Sequence, residues 1–257
     1  MPTVRLQAKI YSNSQQKLLE EKIRNLLKGL AVEIILHGTT PHGLAKLAVS
    51  GEDEKIAIKY LNKVIGICPE TLENLGNGSI IKGRITKLNQ SKGHIAVDIG
   101  IFLPETVEAT VPLQHLQAQL VDGRKVALAK IAELFGLVEN LPLTVKILKI
   151  NSESGQVEAA LAEKQLTLFR LWVKSLLDRL IVLGASLENV ELALKHMGNL
   201  RDVVEVEPLG VFEQAVTCKL GTDAAGLVPK IGRNVPYASL GVFNPRKILD
   251  FLGDQAI

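Results

Sequence analysis

Lys82, Arg84, Lys87 and Lys92 set a run of cations between Ile80 and Ile95, with no acid among them. Lys82 and Arg84 are two apart, and residues two apart on an extended strand project from the same face. Such a pair can hold successive phosphates of a nucleic-acid backbone, a contact that positions a strand without reading its bases. The same residues would equally form an ordinary solvated strand on a barrel recruited for protein contact, and both readings stand at this point.

A second run with chemical potential is CKLGTDAAGLVPKIGR, Cys218 to Arg233. Thr222 and Asp223 can cap a helix, and the small residues Ala224, Ala225 and Gly226 leave room for an anion near free N–H groups. Lys219, Lys230 and Arg233 add positive charge, Arg246 and Lys247 follow, and Asp223 is the single acid from Thr217 to Leu249. An anion or RNA-backbone site is one reading; a tight turn packing the last helix on its sheet is the other. The run lacks the GxxxxGK[ST] spacing of a Walker loop.

No residues assemble a catalytic or metal site in sequence. His196 sits near a helix end without a triad partner in reach, and His37 and His42 have no carboxylate or cysteine beside them. Cys68 and Cys218 lack a CxxC spacing and read as buried apolar side chains. A non-enzyme without cofactor or metal is the expectation.

The elements that must position these residues follow from periodicity. A chain of 257 residues exceeds one ordinary domain, and the pattern divides it at 1–75, 76–165 and 166–257. In the first part, Val4 to Ile10 alternates as a strand. Ser12 and Gln15 form a capping-box pattern ahead of a helix that stops at Gly29. Ala31 to His37 and Leu44 to Ser50 read as strands. A helix over 53–65 groups Ile56, Tyr60, Leu61 and Val64 on one face. The middle part reads as strands at 80–88, 94–100, 110–113, 143–150 and 156–161, with an amphipathic stretch at 123–134 and a hairpin turn at Asn151 to Gly155. The last part begins with LTLFRLWVKSLL, apolar enough to bury Trp172 against another domain or a partner. It continues as strand 179–183, helix 186–197, strands 202–207 and 211–220, a short helix from Gly221 and a last helix at 245–252. The fold class expected is α+β and multidomain, a central barrel flanked by two small β-α-β-β-α domains, ferredoxin-like or related.

Composition narrows the function classes. The chain is 47% hydrophobic, so it fills real cores, and only 4% aromatic, which leaves few rings for stacking. Its formal charge of +3 is spread evenly and permits nucleic-acid binding without requiring it. No run is apolar enough to cross a bilayer and the start lacks a signal-peptide core, so a soluble cytoplasmic protein without membrane contact is expected.

The middle part carries a family resemblance. Gly78, Ile81, Gly83, Ile85, Gly93 and Val97-Asp98-Ile99-Gly100 resemble the pattern of S1-type oligonucleotide-binding (OB) barrels. Val111-Pro112-Leu113, Leu116, 145–147 and 157–161 match the later strands. The resemblance implies RNA, structured or ribosomal, held on the second and third strands by stacking rings and nearby cations. Between Lys92 and Val97, where a ring is expected, the chain has Gly, His, Ile and Ala; His94 and Phe102 are the candidates left for stacking. The set of parts is similar to the alpha subunit of translation initiation factor 2, with the barrel second rather than first. The whole chain resembles an uncharacterised archaeal protein family containing an S1-like domain. The expectation is an RNA-binding protein of translation or another ribonucleoprotein setting, with Lys82, Arg84, Lys87, Lys92, His94 and Phe102 on the barrel assisted by the C-terminal cations. The alternative is a protein-interaction adaptor in a large nucleic-acid machine whose S1-like barrel no longer binds bases.

Overall fold

The computed structural model describes residues 3–101, 106–151, 155–196 and 198–253. Two compact units make up the chain: Met1–Leu75 with Ile99–Val107, and Gly76–Asp98 with Glu108–Ile257. The expected turn at Asn151 to Gly155 includes residues 152–154, and both these and Phe102 lie outside the described residues.

In the first unit the order is β1 (Thr3–Lys9), α1 (Asn13–Leu26), β2 (Val32–Thr39), β3 (Leu44–Gly51) and α2 (Glu54–Val64). The sheet runs β1-β3-β2 with both pairings antiparallel. Its alternating residues meet the apolar helix faces in a core of Leu6, Leu19, Ile23, Leu47 and Leu61, all fully buried. The expected capping box closes differently from its sequence pattern. Ser12 is the N-cap without a side-chain cap bond, and the Gln15 amide oxygen accepts from the Tyr11 N–H at 2.8 Å. A larger correction falls on α2. A helix lying on a sheet buries only the arc that faces it, and here that arc is Ala57 and Leu61. Ile56, Tyr60 and Val64 stay 56%, 42% and 46% exposed.

The second unit holds a closed five-stranded barrel of β4 (Ile80–Asn89), β5 (His94–Ile101), β6 (Val107–Pro112), β7 (Pro142–Asn151) and β8 (Gln156–Leu161), in the order β4-β5-β6-β8-β7. Only the β6–β8 pairing is parallel among those described. Inward residues such as Ile85, Ile95, Val111, Val145 and Ile147 are fully buried. At Gly83 an added Cβ would sit 2.6 Å from both the Asp98 carbonyl oxygen and Val97 Cγ1, so a side chain there would push β4 off β5. The third strand starts earlier than the sequence pattern suggests. It ends at Pro112, which has no N–H to continue the ladder. Leu113 and Leu116 then belong to a helix, α3 (Leu113–Leu120), and the stretch expected as one helix over 123–134 narrows to α4 (Leu128–Phe135).

After the barrel come α5 (Glu163–Lys174), β9 (Arg179–Leu183), α6 (Leu187–His196), β10 (Val203–Pro208), β11 (Glu213–Cys218), α7 (Val228–Asn234), β12 (Ser239–Phe243) and α8 (Pro245–Leu252). β12 is an addition to the expected β-α-β-β-α order. It pairs antiparallel with β9 and completes a four-stranded sheet, β10-β11-β9-β12. Its five residues with a glycine in the middle give too short an alternation to read as a strand. One face of this sheet packs on α6 and α7 through Leu180, Val182, Val190, Leu194, Val216 and Ile231. Trp172 of α5 is buried among Phe135, Phe169 and Phe243, with ring centroids 5.1–6.2 Å apart across the cluster. The Arg179 guanidinium lies 5.0 Å from the Trp172 ring.

Candidate nucleic-acid interface

The expected barrel edge faces solvent only in part. Ile80, Lys82 and Arg84 share one face of β4; Ile80 stays exposed, while the segment leading into β11 covers Arg84 and half-buries Lys82. Lys82 Nζ donates to the Leu209 carbonyl oxygen at 2.6 Å, and Arg84 Nη1 lies 3.0 Å from Glu213 Oε1. The Arg84 and Glu213 side chains are 7% and 0% exposed. Burial holds the Lys82 amine below its usual value, and Arg84 beside it adds to that against the attraction of Glu213. Two details fit this segment to β4. The Leu209 and Gly210 N–H groups both donate to the Glu213 carbonyl oxygen, tightening the turn. At Gly210 an added Cβ would lie 1.9 Å from Glu213 Oε2, so only glycine leaves space for the carboxylate that meets Arg84. Lys82 and Arg84 are thus engaged within the chain rather than presented together as an open cationic pair.

The remaining barrel candidates are at the β4–β5 hairpin. Lys87 and Lys92 are exposed, and His94 is half-buried with Nε2 sharing a hydrogen bond with Asn89 Nδ2 at 3.0 Å. They do not join Lys82 and Arg84 as one cationic stripe, because the latter pair is enclosed.

The C-terminal candidates fare differently. Lys219, Thr222 and Arg246 come from the end of β11, the following loop and the start of α8, and they line one pocket of about 140 Å³ with Leu176, Asp178, Gly221, Asp223 and Asn244. Lys247 is exposed on the next residue of α8, near enough to act on the Asp178 charge. Lys230 and Arg233 are exposed on α7 and are not part of the pocket wall. Asp223 forms a local turn, with Oδ1 accepting from the Ala225 N–H at 2.9 Å.

Asp178 and Asn244 were not anticipated from sequence. Asp178 Oδ2 accepts from the Ala224 N–H at 3.2 Å and from Asn244 Nδ2 at 3.1 Å, while Asn244 Oδ1 caps α8 by accepting from the Lys247 N–H at 3.0 Å. This network joins the start of β9, the loop after β11 and the start of α8. Burial pushes the Asp178 carboxyl above the usual carboxylate range, helped by Asp223 and opposed by the Ala224 N–H, Arg246 and Lys247. Burial likewise pushes the Cys218 thiol up to about 12, with Asp178 and Asp223 adding to it, so it is inert as a nucleophile at neutral pH. Tyr237, three residues past the end of α7, is 87% exposed and offers a free ring on the same domain. No spacing rule marked it. A lone tyrosine in a Pro-containing turn carries no periodic signal.

A larger groove of about 690 Å³ lies among α3, α5 and α8. On its polar wall Gln119 donates to and accepts from the Leu161 backbone, and Arg170 pairs with Glu163 at 2.5 Å. Among the described residues no group of three or more His, Cys, Asp or Glu side chains could hold a metal ion, and no helix is long and apolar enough to cross a membrane.

Three family models cover nearly the whole chain: the DUF2110 N-terminal domain at residues 3–69, the DUF2110 central domain at 70–173 and the DUF2110 C-terminal domain at 177–243. The chain belongs to the DUF2110 family. Comparison with curated proteins finds no match. Among solved structures the chain is similar to an uncharacterized protein from Methanocaldococcus jannaschii, at 12% identity and a TM-score of 0.24, covering 35% of this chain and 95% of that one. It is also similar to the a/eIF2alpha–aDim2p–rRNA complex from Pyrococcus horikoshii, at 10% identity and a TM-score of 0.25, covering 50% of this chain and 70% of that one. Scores this low define no shared fold.

Proposed function

We propose that this chain is a non-catalytic RNA-binding protein of translation or another ribonucleoprotein setting, and that it holds the phosphate backbone through its C-terminal domain. The observation that carries the reading is the convergence of Lys219, Thr222 and Arg246, separate in sequence, on one pocket. Lys219, Arg246 and the Thr222 hydroxyl share the wall of a space of about 140 Å³ with Asp178 and Asp223, a space sized for a single phosphate rather than a whole nucleotide. Lys247, Lys230 and Arg233 extend the cationic surface along the domain, and the free ring of Tyr237 can stack on a base.

The barrel is read as an S1-type OB barrel, a reading supported by its strand order and by the parallel contact between its third and fifth strands. The C-terminal sheet is read as ferredoxin-like, supported by its β-α-β-β-α-β order. In this reading the barrel's β4 face carries the C-terminal domain rather than RNA, and Lys87, Lys92 and His94 remain as an auxiliary contact at its hairpin. Filter binding of a structured RNA across a salt series tests the proposal. Lys219→Glu with Arg246→Glu should abolish binding seen at low salt while the fold, followed by circular dichroism, is kept. Undetectable RNA binding by the parent chain at low salt would sink it. The second reading, a protein-interaction adaptor, is favoured by the enclosure of Lys82 and Arg84, which turns a barrel face to protein contact.

A further inference from the structure

The helix α2 buries Ala57 and Leu61 and leaves Ile56, Tyr60 and Val64 in the open, spaced four residues apart. Residues at i, i+4 and i+8 stack above one another, so these three form one continuous apolar ridge along the helix rather than scattered surface residues. Lys55, Lys59 and Lys63 each precede a ridge residue by one position, and all three are exposed. They therefore form a parallel cationic row on the solvent side of the ridge. Glu54, at the first turn, is the only acid of the helix.

We infer that α2 is a docking site for an acidic amphipathic helix of a partner protein, whose apolar side covers Ile56, Tyr60 and Val64 while its carboxylates meet the lysine row. Charge decides the occupant. Two copies of this chain stacked ridge on ridge in antiparallel fashion would set each lysine row against its own copy, which like-charge repulsion disfavours. A nucleic-acid backbone would use the lysines but leave Ile56 and Val64 uncovered. Tyr60 supplies the anchor at the centre of the ridge, with a large apolar face and a hydroxyl that stays wet at the rim. The ridge from Ile56 to Val64 is about 12 Å long, matching a partner helix of at least two turns. This site lies on the N-terminal unit and does not depend on RNA binding by the C-terminal domain.

The test uses the full chain and a labelled helical peptide of about 15 residues with leucines on one face and flanking glutamates. Fluorescence anisotropy at low salt should show binding that weakens about ten-fold or more with Tyr60→Ala and with Lys59→Glu. A version of the peptide with lysines in place of the glutamates should bind only the triple variant Lys55→Glu, Lys59→Glu, Lys63→Glu. That reversal also shows that the variant is folded. The inference is overturned if neither peptide binds, or if both bind the parent chain alike. A concentration-dependent dimer in sedimentation that Tyr60→Ala abolishes would assign the ridge to a second copy instead. Loss of RNA binding in Lys59→Glu, with peptide binding unchanged, would assign it to RNA; either result also overturns the inference.

Discussion

Arg84 and Glu213 show how a residue's role depends on what lies across from it. An arginine on a strand face is a phosphate contact in water; facing a carboxylate with 0% exposure, it is half of a buried ion pair. Removing one member leaves the other charge enclosed, at a cost of about 3–5 kcal/mol. Glu213→Ala should therefore lower the unfolding free energy in urea by that amount. Replacing both residues by apolar side chains of similar volume should cost far less. Asp178 gives a second residue-scale prediction. Its folded value lies above the ordinary 3.8, so it contributes stability that is full below the unfolded value and lost as pH rises through the raised folded value. Asp178→Asn, which can still accept from Ala224 and Asn244, should show no such loss, so thermal melts of the two proteins should diverge as pH rises from about 4. Protonation also removes a negative charge from the pocket. Inorganic phosphate should thus bind the parent chain more tightly on acidification through the same range, and the Asn variant should lack that trend.

At the scale of elements, β4 is the instructive case. Its alternation correctly assigns Lys82 and Arg84 to one face, yet the turn before β11 engages both, through a lysine–carbonyl bond at 2.6 Å and an ion pair at 3.0 Å. Lys82→Glu with Arg84→Glu should consequently behave as a folding defect. The double variant should lower the melting temperature and expose dye-binding apolar surface, and any loss of RNA binding should follow the unfolded fraction. Helix α2 fails in the opposite direction. Its apolar residues span a wider arc than a sheet can cover, so of the grouped Ile56, Tyr60, Leu61 and Val64 the structure buries Leu61 and leaves the other three exposed. Phe135, Phe169, Trp172 and Phe243 pack together in the core, whereas Tyr237 of the C-terminal domain is 87% exposed.

For the whole molecule, the salt dependence of RNA affinity measures how many cations act together. If Lys219, Arg246 and Lys247 hold the backbone, the logarithm of affinity should fall against the logarithm of salt with a slope of about −2 for a single strand. A slope near zero would mean that phosphates are not held there. Much of the architecture was legible in the chain itself, because alternation, helical spacing and turn residues are local. The N-terminal β-α-β-β-α order, the five barrel strands and the last helix at 245–252 all follow from neighbours a few residues apart. The clustering of Lys219, Thr222 and Arg246 was foreseeable in part, since a stretch nearly free of acids concentrates positive charge wherever it folds. What the sequence could not determine is which faces meet. The closure of Leu209 and Glu213 over β4, the bonds from Ala224 and Asn244 to Asp178, and the open ridge on α2 join or separate residues far apart in the chain. Such long-range pairings depend on desolvation and on shape fit between finished elements, and no local spacing encodes either; they were decided by the tertiary structure alone.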